Sequence, residues 1–105
     1  MNRRDKRILE NFRFLLERKV TIRTLALFGS LARGDEDLDS DMDVLVVVEH
    51  IDRNTEDFIS DCAWEAGFAE GVVVVPVTYT REEWEEGLDG QSLLAEAIRS
   101  EGIFL

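Results

Sequence analysis

Three aspartates, Asp39, Asp41 and Asp43, alternate with Leu38, Ser40 and Met42 just ahead of the aliphatic run "VLVVV". In an extended chain, residues two apart point to the same side, so these carboxylates share a face. At a rise of about 3.3 Å per residue, the Cα atoms of Asp41 and Asp43 stand about 7 Å apart. Two carboxylates at that separation can converge on one hard cation or bracket two. Without a cation they repel each other and weaken the start of the strand. Mg²⁺, which takes oxygen ligands at about 2.0–2.1 Å and keeps several waters, removes that conflict. Asp37, Asp39 and Asp41 also fall at offsets one, three and five of a calcium-binding loop. Met42 stands where that loop needs glycine and Val48 where it needs a bidentate glutamate, so the calcium motif fails. A solvated acidic turn would account for six acidic residues among the nine from Asp35 to Asp43. It does not account for an alternation that ends at the mouth of a strand.

Upstream, Gly29 and Ser30 close the apolar stretch "TIRTLALF" and lead into "LARG". Glycine allows a phosphate to approach the backbone, and Ser30 offers a hydroxyl and could open a helical turn. The free N–H groups of such a turn face an anion. A phosphate chain held there would lie beside a metal carried by Asp41 and Asp43. Gly-Ser turns and Asp-x-Asp pairs are each common. Their combination between two apolar strands is specific.

The elements that must position these groups follow from periodicity. Ile8, Leu9, Phe12, Leu15 and Leu16 recur at helical spacing, which predicts an amphipathic helix over residues 3–19. Strands are expected at Thr21–Phe28, Asp43–Val48 and Val72–Tyr79, the second apolar enough for a sheet interior. Pro76 cannot donate a ladder bond and marks the third strand as an edge or a bulge. Phe58, Ile59, Cys62, Ala63 and Ala66 predict a helix from Thr55 to Ala66, with Asn54 as its N-cap and Gly67 and Gly71 at its exit. A short turn at Glu82–Glu86, a helix through Leu93, Leu94, Ala97 and Ile98, and a terminal strand or tail at Ile103–Leu105 complete the chain. The order α-β-(turn)-β-α-β-α implies an α+β fold, a small mixed sheet flanked by helices. No repeat or linker divides the 105 residues, so one domain is expected.

Composition narrows the setting. The net charge is −11, yet residues 1–23 carry eight Lys/Arg and three Asp/Glu, a net of +5, leaving −16 on the remainder. Such a field repels nucleic acid over most of the surface, so direct nucleic-acid binding is not expected. The basic N-terminal segment reads either as a solvated helix face or as an arm that meets an acidic partner. The longest apolar run, Val72–Val77, is too short to cross a bilayer. The charged start "MNRRDKRILENF" lacks the continuous apolar segment of a signal peptide, and the single Cys62 fits a reducing compartment. A cytoplasmic protein is the expectation.

The stretch "GSLARGDEDLDSDMDVLVV" resembles the signature of the minimal nucleotidyltransferases, within the DNA polymerase β-like superfamily. That signature reads Gly-Ser-x-Ala-Arg-Gly, a variable spacer, then Ser-Asp-x-Asp before a hydrophobic strand. Gly29, Ser30, Ala32, Arg33, Gly34, Ser40, Asp41 and Asp43 match it. The resemblance implies a two-metal nucleotidyl transfer. Gly29 and Ser30 would hold the triphosphate of ATP or another NTP, and Asp41 and Asp43 would bind Mg²⁺ as catalytic ligands. Arg33 would assist on phosphate or brace the acidic loop. Family members of this size often work beside a HEPN-fold partner as toxin–antitoxin pairs, attaching AMP to a hydroxyl of the toxin. Self-association into a homo-oligomer stays open.

The superfamily usually carries a third carboxylate on a later strand, and Val72–Tyr79 contains no Asp or Glu. Glu70 precedes that strand, and Glu82 and Glu83 follow it. Two readings therefore stand: a Mg²⁺-dependent nucleotidyltransferase, or a degenerate module that binds nucleotide or partner and regulates by association. Outside the motif, His50 reads as an exposed loop residue and Cys62 as core. Trp64 and Trp84 read as packing residues or as a partner surface.

Overall fold

The computed structural model describes residues 1–29, 41–87 and 92–105. Helix α1 (Arg3–Glu17) opens on Asn2, whose side chain accepts from the Asp5 N–H at 2.7 Å. Its buried stripe is the one the spacing predicts: Ile8, Leu9, Phe12, Leu15 and Leu16. Strand β1 (Ile22–Phe28) follows and pairs antiparallel with β2 (Met42–Val48). Helix α2 (Arg53–Phe68) then crosses to β3 (Val74–Thr80), which runs parallel to β2. A short α3 (Arg81–Glu85), a helix α4 (Leu93–Glu101) and a two-residue β4 (Ile103–Phe104) complete the order. The sheet order is β3-β2-β1-β4, with β4 antiparallel to β1. This is the mixed α+β sheet that the element order implies.

Because β2 lies between β1 and β3, its residues are buried on both faces, and its sequence is apolar on both parities. Met42, Val44, Val46 and Val48 point into the larger core with Leu25, Leu27 and the stripes of α1 and α2. Leu45 and Val47 face the other way, into a smaller core with Ala26, Trp84, Ala95 and Ile98. Six of the seven β2 side chains are buried. At about 1.5–3 kcal/mol for each aliphatic side chain withdrawn from water, this strand is firmly anchored. It can therefore tolerate an unfavourable charge at its mouth.

Two details of α2 differ from the periodicity. Its N-cap is Asp52 rather than Asn54: the Asp52 carboxylate accepts from the Thr55 N–H at 2.7 Å. The helix also continues beyond Ala66, through Gly67 to Phe68. Gly67 is a packing residue inside the helix rather than a stop. A Cβ there would collide with the Val72 carbonyl, while the Val72 N–H donates to the Gly67 carbonyl at 3.0 Å. The reversal comes later, at Gly71, with φ +69°.

Candidate active site

Asp43 is the second residue of β2 and pairs in register with Phe28, the last residue of β1. By strand alternation its side chain shares the face of Leu45 and Val47. The strand mouth is pinned by the Met42 N–H, which donates to the Val73 carbonyl at 2.9 Å. Immediately before Met42, Asp41 is exposed, whereas Asp43 is half-buried.

Gly29 closes β1 in the left-handed region, with φ +78°. A Cβ placed on it would stand 2.6 Å from Oδ2 of Asp43. Glycine is needed here twice over, for its backbone angle and for the room it leaves a carboxylate. This contact was not legible from the chain, where Gly29 suggested only close approach of a phosphate. That the end of β1 lies beside the acid pair is the sequence expectation; that Gly29 itself meets Asp43 follows from the register of β1 on β2.

Burial raises the Asp43 carboxyl above its ordinary value, and the Asp41 charge raises it further. The two carboxylates are therefore electrostatically coupled. Their donor set is all oxygen, hard and like-charged. Those are the properties a Mg²⁺ site requires, and Asp41 and Asp43 are the residues that would hold it. Among the described residues no group of three or more His, Cys, Asp or Glu side chains gathers as a metal cage.

The register identifies the place where a third carboxylate would belong. Val75 on β3 pairs with Asp43, and Val77 pairs with Leu45. Paired residues of parallel neighbours share a face, so Val75 is the β3 side chain beside Asp43. The nearby acids serve elsewhere. Glu70 accepts two hydrogen bonds from the Arg7 guanidinium, at 2.9 and 3.2 Å, and that partner holds its carboxyl below the usual range. Glu83 completes the capping box of α3 with Thr80. Glu82 and Glu83 also follow Thr80, which pairs with Val48 at the far end of β2 from Asp43.

Of the other singled-out residues, His50 is exposed and lies just past that far end. Cys62 is buried in the larger core, and burial pushes its thiol up. Trp84 is buried, with the Arg99 guanidinium 4.5 Å from its ring centre and Tyr79 at 5.5 Å. Trp64 is exposed. Ser30, Ala32, Arg33, Gly34 and Ser40 lie outside the described residues.

Among the described residues no helix is long and apolar enough to cross a membrane. A search of curated proteins returned no match. Among solved structures, the chain is similar to one described as "Crystal structure of the toxin-antitoxin with AMP-PNP", at 22% identity and a TM-score of 0.60. The alignment covers 90% of this chain and 70% of that one, and it shows a shared fold. The nucleotidyltransferase domain family matches residues 6–100, a span holding the Gly29-Ser30 pair, the Asp41-x-Asp43 pair and strands β1 to β3. By that match the chain belongs to the nucleotidyltransferases, as its resemblance to the minimal members implies.

Proposed function

We propose that this domain transfers a nucleoside monophosphate, AMP from ATP in the first instance, to a hydroxyl of a partner protein or small molecule. The new O–Pα bond replaces the bond to the β-phosphate, and pyrophosphate and the hydroxyl proton leave. The observation that carries the reading is the seating of the Asp43 carboxylate against Gly29, with Asp41 two residues away. It puts the half-buried Asp43 carboxylate, with the exposed Asp41 two residues before it, across from Gly29 at the end of β1. Asp41 and Asp43 hold Mg²⁺ in this reading, and the ion supplies charge neutralisation at the triphosphate. Gly29 leaves backbone accessible to phosphate, and Ser30 contributes a hydroxyl to the same chain of oxygens. The work of the protein is positioning and electrostatic complementarity, which dominate phosphoryl-group transfers of this kind. A toxin–antitoxin neighbour supports a protein acceptor, with a HEPN-fold partner as the candidate.

One observation favours a second reading. The β3 residue beside Asp43 is Val75, so the group that would favour a deprotonated acceptor is not on this strand. In that reading the domain binds nucleotide or partner without transfer.

Incubation with α-labelled ATP and Mg²⁺, with and without a co-purified HEPN-fold partner, distinguishes the two. Transfer predicts label on protein that disappears in Asp41→Asn, Asp43→Asn. Binding alone predicts thermal stabilisation by Mg²⁺–ATP with no covalent label under any condition. Label that persists in the double variant overturns the mechanism.

A further inference from the structure

The outer face of α2 and the start of β3 enclose an open groove of about 450 Å³, floored by Trp64, Phe68, Val73 and Pro76. Trp64, Phe68 and Val73 are 65%, 69% and 61% exposed. The two aromatic rings stack on each other, with centroids 4.7 Å apart and planes inclined by 17°. A pre-stacked aromatic platform left in water is costly, and contiguous apolar surface of this kind marks an interaction site. Tryptophan in such a position is a typical binding anchor.

Charge says what covers it. Glu56, Asp57, Asp61 and Glu65 are exposed along α2, and Asp57, Asp61, Trp64 and Phe68 recur at helical spacing on one face. From Asn54 to Thr80 the chain contains no Lys or Arg. A second copy would bring an identical acidic rim against this one, so self-association is opposed by like charge. The edge chemistry argues against an added strand. The Val73 carbonyl is committed to Met42, and parallel alternation then turns Val74, Pro76 and Thr78 outward along the free edge. Pro76 therefore removes an N–H that an incoming strand would need.

We infer that this groove docks a helix of a different protein, one with an aliphatic ridge flanked by Lys and Arg. The ridge fills the space over Trp64 and Phe68, and the basic flanks meet the α2 carboxylates. The site adds to the nucleotidyl-transfer reading and does not depend on it. Its position does bear on that reading. Val73 bonds to the residue before Asp43, so a docked helix lies at the same end of the sheet as the acid pair.

The probe is a pair of synthetic amphipathic helical peptides with the same leucine ridge, one flanked by Lys/Arg and the other by Glu. A scrambled basic peptide of equal charge serves as control. Titrations read by backbone NMR shifts in every variant, and by tryptophan fluorescence where Trp64 is present, are expected to show binding of the basic amphipathic peptide alone, weakening with salt. Trp64→Ser, Phe68→Ser, both exposed and outside the core, is expected to lower affinity at least about tenfold. Asp41→Asn, Asp43→Asn is expected to leave that affinity unchanged, which separates this site from the transfer site. Equal binding of the scrambled peptide, or no loss in the Trp64/Phe68 variant, overturns the proposal. A dimer in sedimentation equilibrium that dissociates in the Trp64/Phe68 variant overturns it in favour of a second copy.

Discussion

Asp43 holds a carboxylate where burial and a neighbouring charge both disfavour ionisation. With its folded value raised, the native chain binds more protons than the unfolded one just above the ordinary carboxylate value of 3.8. Stability therefore falls as pH rises through that window. Asp43→Asn is expected to raise Tm by a few degrees at pH 7 without divalent cation. The gain should vanish as pH falls below the ordinary carboxylate range. The same variant is expected to lose the Mg²⁺–ATP increment, about 2.7 kcal/mol at a hundred times Kd. Thermal melts across pH, with and without Mg²⁺–ATP, check both. Gly29→Ala tests the contact directly. Its positive φ costs an alanine about 1–2 kcal/mol, and overlap with Asp43 adds to that. In an Asp43→Ala background only the backbone cost should remain. A double-mutant cycle by chemical denaturation is expected to give a coupling above about 0.5 kcal/mol.

At the scale of the element, β2 is a central strand whose burial fixes the direction of Asp43, while β3 presents an aliphatic neighbour to it. Val75→Asp restores a carboxylate on the correct face. Because Val75 is half-buried, the change is expected to cost about 1–3 kcal/mol of stability without cation. Mg²⁺ is expected to return part of that loss. If only this group is lacking, label transfer from α-labelled ATP should rise about 10²-fold. Val77→Asp, beside Leu45 in the smaller core, is expected to lose stability with no gain in label.

Over the whole molecule the charge is lopsided, basic in residues 1–23 and strongly acidic beyond. Some of the acid is tied into surface pairs, with Arg23 and Arg81 both on Glu49, and Arg7 on Glu70. Pairs as exposed as these contribute little, so net repulsion dominates. Raising NaCl from about 0.01 to about 0.5 M, which shortens the screening length from about 30 Å to a few ångströms, is expected to raise Tm. A monotonic fall on calorimetry would mean that the ion pairs outweigh the repulsion.

Much of the architecture was legible in the chain because its cues are local. The α1 stripe, the two-faced apolarity of β2, the proline on an edge strand and the placement of Asp43 at a strand start each express a short-range constraint. The limits of α2 were less legible. A side-chain cap can come from Asp52 as readily as from Asn54, and a helix accepts Gly67 when a neighbouring carbonyl needs the space. The tertiary structure alone decided which residues meet across the sheet. Register between strands far apart in sequence is fixed by core packing on both faces of β2. That packing sets Gly29 against Asp43 and Val75 beside it. It also separates two tryptophans that look alike in the chain: Trp84 closes the smaller core, and Trp64, on α2 beside the edge strand β3, stays in water.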